Sequence, residues 1–140
     1  HNWLKVDGLW DHLPNYQNFL TDKEHWQIII NIWSMAEHNS LDHNREKWDE
    51  IFKIRNPIKY FKKNIKPTFF AYRAGSDDGY SWSLSKKIAN EFKFRYSKNN
   101  PLYSMHINEE FKVHKKLIKY EQVLFYNNTR REKEIVIIQS

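Results

Sequence analysis

The stretch "KPTFFAYRAG" (66 to 75) is where the character of the chain changes. Before it, apolar residues follow helical spacing, whereas Thr68 to Ala74 is an aromatic run typical of a strand. After it, several short apolar segments alternate with polar turns. A helical first part followed by a run of strands predicts an α+β fold, with an N-terminal helical layer and then a mostly antiparallel sheet.

The helical part is expected to span residues 1–66. In "TDKEHWQIIINIWSMAEH" (21 to 38), Thr21 is a candidate N-cap and Glu24, three residues later, its capping-box partner. A loop, "NSLDHN", comes next. Two shorter helices are predicted after it, "REKWDEIFKI" and "PIKYFKKNI", the second beginning at Pro57.

The mostly β part is expected to span residues 67–140. "GYSWSLS" reads as a short strand or turn, and "LSKKIANEFKFRYS" (84 to 97) returns to helical spacing. Four further strands are predicted, in "PLYSMHI" (101 to 107), "KVHKKLI" (112 to 118), "EQVLFY" (121 to 126) and "EKEIVIIQ" (132 to 139). No linker or repeat separates the two parts, so the sequence predicts one domain over residues 1–140.

Composition narrows the class of protein. Aromatic residues make up 16% of the 140 positions, which favours a packed globular chain over a disordered one. The absence of cysteine excludes disulfides and thiolate metal sites and fits a cytoplasmic setting. No apolar run approaches the ~20 residues of a membrane helix, so no membrane partner is expected. The net charge of +6 suits a polyanionic partner.

Two common kinds of binding site are not expected. His38 and His43, with Glu37 and Asp42, are the closest set of metal-ligand types, but they lack the helical spacing that places two ligands on one face, so no metal is predicted. There is no P-loop and no Gly-rich dinucleotide fingerprint, which three glycines could hardly supply. A dinucleotide would therefore have to bind outside a Rossmann framework.

Polar residues recur where predicted strands begin or end. Arg73 lies in the aromatic strand, Ser81 and Ser83 flank Trp82 before a helix, and Glu132 and Glu134 open the last strand. Residues i and i+2 of a strand share a face, so each pair is expected to point into one cleft. Each has an ordinary alternative: an edge arginine, a serine helix cap, and charges that protect an edge strand from aggregation.

The order of these pieces resembles the mono-ADP-ribosyltransferase family of the Arg-Ser-Glu type, which includes bacterial toxins and phage-encoded enzymes. The matching segments are "AYRAG" (71 to 75), "GYSWSLSKKIANEFKFR" (79 to 95) and "RREKEIVI" (130 to 137). The resemblance covers about residues 67 to 139. It implies an ADP-ribosyltransferase-like fold and NAD as the substrate.

The resemblance assigns a separate task to each glutamate. Glu134 matches the invariant glutamate, which is expected to hydrogen-bond the nicotinamide ribose and to offset the positive charge that develops there. Glu132 matches the position that orients or deprotonates the acceptor. A glutamate there resembles enzymes that modify arginine, whereas glutamine would point to other acceptors.

The remaining matches concern NAD binding. Arg73 matches the arginine that holds the pyrophosphate or ribose. Ser81 is expected to orient Arg73 or Glu134, and Ser83 to brace the turn. Ala74 stands where the family often has glycine, and the family uses backbone groups there for the nicotinamide amide. Its Cβ is expected to narrow that pocket.

Two aromatic residues complete the expected NAD site. Trp82 and Phe92 offer flat apolar surface near the turn and are candidates to wall the nicotinamide. Core packing is the alternative for both. "YNNTRR" (126 to 131) occupies the place of the family's substrate-recognition turn, and an ordinary strand-to-strand turn would also explain its composition.

Two other functions stay open. An NAD glycohydrolase on the same scaffold would use water in place of the acceptor. A non-catalytic basic nucleic-acid-binding module would use the lysines and aromatics of "NPIKYFKKNIKPTFF" (56 to 70). For a transferase the expected acceptor is a protein, with nucleic acid as the alternative.

Overall fold

The structure, a computed structural model, describes residues 6–36, 45–99 and 112–138. It combines helices with an antiparallel five-stranded sheet, which confirms the α+β prediction at that level. The described chain divides into two compact units, residues 1–61 and 62–140. The division lies a few residues before the change of character seen in the sequence at Lys66.

The first unit is helical. Its helices are α1 (Val6–Tyr16), α2 (Asp22–Met35) and α3 (Arg45–Phe52), with a 3₁₀ turn at Gln17–Phe19. The predicted capping box begins α2: Glu24 N donates to Thr21 Oγ1 at 3.1 Å, and Thr21 N donates to the Glu24 side chain at 2.9 Å. Aromatic and β-branched side chains form the core of this unit: Trp26, Ile29, Ile30, Trp33, Trp48, Ile51 and Phe52.

The helix predicted from Pro57 to Ile65 was wrong. That segment forms a 3₁₀ turn, Lys59–Lys62, in place of an α-helix. The backbone hydrogen bonds in and after this turn span three residues, from Phe61 N to Ile58 O and from Ile65 N to Lys62 O, whereas those of an α-helix span four. Asn64 then takes a left-handed φ of 64°, which α-helix does not allow. The loop predicted at residues 39–44 and the strand predicted at 101–107 fall outside the described residues, apart from the helix ends beside them.

The second unit contains the sheet and one helix. Its elements are β1 (Thr68–Ala74), β2 (Ser81–Ser83), α4 (Lys86–Asn99), β3 (Val113–Lys119), a 3₁₀ turn (Tyr120–Gln122), β4 (Val123–Asn127) and β5 (Glu134–Ile137). The strand order is β3-β1-β2-β5-β4 and each neighbouring pair is antiparallel. The predicted strand Thr68 to Ala74 is confirmed without change of bounds.

The sheet has to curve strongly. β3 and β4 form its two edges, yet only the turn Tyr120–Gln122 connects them. Four steps between strands measure about 19 Å on a flat sheet, whereas that connection reaches about 14 Å at full extension. Curvature encloses a core of Ala71, Trp82, Ile118, Val123, Ile135 and Ile137, against which Ile65, Phe69, Leu84 and Tyr126 pack.

Candidate functional site

One cross-strand row carries the residues of interest. Glu134, the first residue of β5, pairs with Ser83 of β2 on one side and with Asn127 of β4 on the other, and Ser83 pairs with Tyr72 of β1. Directly opposed residues of an antiparallel ladder share a face. Ser81, two residues before Ser83, lies on that face too. We call it the glutamate face of the sheet.

The Glu134 carboxylate accepts a hydrogen bond on each oxygen. The Ser81 hydroxyl donates to Oε2 in a short contact, and Asn127 Nδ2 donates to Oε1 at 3.1 Å. Asn127 is 5% exposed, and its own Oδ1 accepts from Thr129 Oγ1 at 2.6 Å and from Thr129 N at 3.2 Å. The orientation of the half-buried Glu134 side chain is therefore set by groups that are fixed themselves.

The other two serines of "SWSLS" hold the backbone. The buried Ser83 hydroxyl donates to Glu132 O at 2.8 Å and accepts from Ser85 N at 3.0 Å. Ser85 Oγ accepts from Ile88 N at 3.2 Å, which caps the first turn of α4. Ser83 thus braces the turn and connects β2 to the segment that leads into Glu134.

Glu132 lies outside the strand, which corrects the premise that Glu132 and Glu134 share a face by alternation. β5 begins at Glu134, and the residues on either side of Glu132 are left-handed, Arg131 with a φ of 58° and Lys133 with a φ of 49°. Lys133 N donates to Asn128 Oδ1 at 2.9 Å and so closes this turn. The half-buried Glu132 is positioned by the turn, because strand periodicity does not extend to it.

Arg73 and Glu134 are linked through Ser81. Strand alternation directs Arg73 away from the glutamate face, since its neighbour Tyr72 belongs to that face. Its guanidinium donates from Nη1 to Ser81 O at 2.9 Å and from Nε to Ser76 O at 2.9 Å. Arg73 therefore fastens the loop between β1 and β2, while the Ser81 hydroxyl reaches the carboxylate.

Gly79 makes this placement of Arg73 possible. A Cβ at residue 79 would overlap the Arg73 guanidinium, so a larger residue would displace it. Ala74 is the last residue of β1 and pairs with Val113. The next residue, Gly75, has a φ of 99°, a backbone conformation that glycine adopts readily and other residues rarely do. His114 Nε2 lies 2.6 Å from Gly75 O.

The two aromatic candidates occupy different environments. Trp82 is 2% exposed, pairs with Ile135 in the core, and donates from Nε1 to Gly79 O at 2.9 Å. Trp82 is therefore part of the hydrophobic core. Its ring would have to become accessible before it could stack on a nicotinamide. Phe92 is half-buried on α4.

Asn127 and Gly79 are the residues that sequence reasoning missed. Asn127 is hidden in "YNNTRR", where it resembles a turn residue, and only the β4–β5 register shows that it opposes Glu134. Gly79 lies in "SDDGYS", whose composition is likewise typical of an ordinary turn.

Metal and membrane features are absent from the part of the chain that the structure describes. Residues 6–36, 45–99 and 112–138 contain no group of three His, Asp or Glu placed to hold a metal ion. The set around His38 and His43 lies outside those ranges. Among the same residues, no helix is both long and apolar enough to span a membrane.

Comparisons with known proteins give no family. No protein-family model matches the chain, and searches of curated proteins and of solved structures found no significant match.

Proposed function

We propose that the protein is a mono-ADP-ribosyltransferase that cleaves NAD and transfers ADP-ribose to a macromolecular acceptor. The observation that carries the proposal is the contact between the Ser81 hydroxyl and the Glu134 carboxylate. The serine and the glutamate come from two separate segments of sequence, and their side chains meet on one face of the sheet.

A fixed carboxylate suits the chemistry of NAD cleavage. The bond between ribose C1′ and the nicotinamide nitrogen breaks, its electron pair leaves with nicotinamide, and positive charge develops on the ribose. A preoriented carboxylate stabilises such a centre because no reorganisation is needed as the charge forms. Glu134 supplies the carboxylate, and Ser81 and Asn127 hold it. The acceptor then attacks C1′ and gives up a proton.

Arg73 has two parts in this proposal. Its bonds to Ser76 O and Ser81 O keep the β1–β2 loop in place. Its planar guanidinium is also the group that we assign to the NAD pyrophosphate, because Arg carries a fan of N–H donors matched to phosphate oxygens. Ala74, at the same end of β1, is the residue whose backbone groups we assign to the nicotinamide amide.

Glu132 is assigned to the acceptor. The turn Asn128 to Lys133 fixes its backbone, and the Ser83 hydroxyl bonds to its carbonyl. A carboxylate beside an arginine side chain would bind the guanidinium by paired hydrogen bonds and take up its proton as the new bond forms. We therefore propose a protein arginine as the first acceptor to test, in the cytoplasm of the cell or of a host.

The test is incubation of the purified protein with NAD labelled in the adenosine and with a cell lysate, followed by measurement of nicotinamide release and of label transfer. Glu134→Gln should lower the rate of nicotinamide release about 10²- to 10³-fold, because a neutral amide cannot offset the developing charge. Ser81→Ala should cause a smaller loss, since Asn127 still holds one carboxylate oxygen.

Glu50→Gln, which alters an exposed glutamate of α3, is the matched control and should keep full activity. Full activity of Glu134→Gln, or no nicotinamide release by the native protein, would refute the proposal. Nicotinamide release without label transfer to any lysate component would show a glycohydrolase in its place.

A further inference from the structure

The sheet bears an exposed apolar and basic patch on the strands β1 and β3. Phe70 is 49% exposed and Leu117 is 54% exposed, and the two are directly paired across the strands. Lys119 pairs with Thr68 and Lys115 with Tyr72, on the same face and on either side of that pair. We call Phe70, Leu117, Lys115 and Lys119 the β1–β3 patch.

Phe70 and Lys115 are in direct contact. The Lys115 Nζ lies 4.2 Å from the centroid of the Phe70 ring. This holds the ammonium over one face of an aromatic ring that is half open to solvent, so a base would stack on the other face or displace the ammonium toward its phosphate. The pair therefore presents a stacking surface and a cation within a few ångströms of each other.

The charge of this region has one sign. The two strands read TFFAYRA and VHKKLIK and contain neither Asp nor Glu. Lys115 and Lys119 are the cations on the face of the patch, whereas Arg73 and Lys116 alternate onto the other face. Neighbouring basic groups without compensating carboxylates attract a polyanion and repel a cationic partner. The patch thus combines an anion-binding row with an apolar centre.

The patch belongs to the glutamate face. Tyr72 pairs with Ser83 and Ser83 with Glu134, so Tyr72 and Glu134 are separated by two strand spacings, about 10 Å. Phe70 lies two residues further along β1, on the same face. A chain molecule lying along the patch would therefore run parallel to β1 and pass about two strand spacings from Glu134.

We propose that the β1–β3 patch binds single-stranded nucleic acid. A base stacks on Phe70, Leu117 extends the apolar platform, and Lys115 and Lys119 contact backbone phosphates, which is how strands are held without sequence readout. A duplex is disfavoured because its bases already stack on one another and do not reach Phe70. An acidic peptide would use the lysines but not the aromatic surface.

Protection of an edge strand explains only part of the patch. Lysine on an edge strand discourages pairing with another chain, and β3 is an edge strand. That role gives no reason for Phe70 and Leu117 to be half exposed between the lysines. The basic segment expected at residues 56–70 contributes Phe70 to the patch, whereas its Lys62 is 7% exposed with its Nζ 3.8 Å from the centroid of the Tyr120 ring.

This binding does not depend on the proposed chemistry of Glu134. The experiment is fluorescence anisotropy with the full chain and a labelled oligothymidylate of about 12 nucleotides, without NAD. We expect saturable binding that weakens steeply between about 50 and 200 mM salt. Phe70→Ala should weaken it about fivefold or more, and Lys115→Gln should reduce the salt slope by about 0.7.

Matched controls come from the helical unit. Phe19→Ala removes an aromatic side chain that is 82% exposed, and Lys53→Gln removes an exposed lysine, and both should bind like the native protein. Phe70→Leu keeps an apolar side chain without a π face, so it should remain folded and still lose affinity. Glu134→Gln should bind at least as tightly as the native protein, because it removes a negative charge from the same face, and this separates the patch from the site of NAD cleavage.

Three outcomes would overturn the proposal. The first is that neither the oligothymidylate nor an oligouridylate of equal length binds at low salt. The second is equal weakening by the Phe70 and Phe19 substitutions, which would show charge attraction alone. The third is equal or tighter binding of a duplex or of a polyglutamate peptide, which would assign the patch to another class of partner.

Discussion

His25 is a buried titratable side chain without a hydrogen bond. It is 0% exposed in α2, and neither Nδ1 nor Nε2 has a partner among the described residues. The pKa of His25 is lowered from 6.5 to about 4, chiefly by burial and also by the Arg55 guanidinium, while Asp22 acts in the opposite direction. Arg55 is held beside α2 by its bond to Asp22 Oδ1 at 3.0 Å and by its bond to Leu20 O at 2.9 Å.

The depressed pKa makes folding stability depend on pH. The unfolded chain binds a proton at His25 near pH 6.5, whereas the folded chain does so only near pH 4. The free energy of unfolding should therefore fall as the pH decreases from 6.5 to about 4. Above this range His25 is neutral in both states, so it should make no pH-dependent contribution. At pH 5 the loss due to His25 should be about 2 kcal/mol.

Urea unfolding at pH 7 and pH 5, followed by helical circular dichroism, measures this effect. His25→Phe keeps a flat ring against Trp26, whose centroid lies 5.5 Å away, and should show a smaller loss between the two pH values. His12→Phe, at an exposed position of α1, should behave like the native protein. An equal loss in native and His25→Phe proteins would contradict this origin.

The residues around Glu134 differ in how far sequence could find them. Arg73, Ser81 and Glu134 stand out by residue type and order, which requires no coordinates. Asn127 does not, because its contact with Glu134 depends on which strand lies beside β5. The position of Glu132 depends on two left-handed residues that are neither glycine nor asparagine, Arg131 and Lys133, and no sequence pattern signals those.

At the scale of elements, β2 and the turn that follows it support the backbone that leads into Glu134. Ser83 bonds to Glu132 O, and Leu84 N donates to Lys133 O at 3.0 Å, so β2 fixes both residues that precede Glu134. Ser85 caps α4 without touching that segment. Two serines of one turn thus have separable functions.

Ser83→Ala and Ser85→Ala test this separation. Each should lower the free energy of unfolding by about 1 to 2 kcal/mol, the first by removing the hydrogen bonds of the Ser83 hydroxyl to Glu132 O and Ser85 N and the second by removing a cap. Only Ser83→Ala should also lower kcat for nicotinamide release, because only it frees the backbone before Glu134. Thermal denaturation and initial rates measure the two effects. Equal kcat values in both variants would show that Ser83 has no positioning role.

Elements with strong local signals were predicted well, and those set by distant contacts were not. α2 has its capping box and β1 its aromatic run, and both were found near their observed bounds. The segment from Pro57 to Ile65 has a composition typical of a helix, but it forms only a 3₁₀ turn at Lys59–Lys62. Strand order was beyond prediction, because β3 and β4 are neighbours in sequence but lie at opposite edges of the sheet.

At the scale of the whole molecule, the chain has two cores. Trp33 and Trp48 pack edge to face at 5.0 Å in the helical unit, with Phe52 stacked on Trp48 at 5.4 Å. The sheet unit buries Trp82 and Ile135 around its own centre. Proteins open locally in cooperative units that follow such packing. The two units are therefore expected to exchange their amide hydrogens separately.

A matched pair of core substitutions tests this expectation. Ile51 in the helical unit and Ile135 in the sheet unit are both 0% exposed, and Ile→Val at either site removes one buried methylene and should destabilise by about 1 kcal/mol. Ile51→Val should speed hydrogen exchange in residues 6–36 and 45–61 but not in the strands, and Ile135→Val should do the reverse. Exchange accelerated across the whole chain by either substitution would show one cooperative unit, since destabilising any part would then open every part equally.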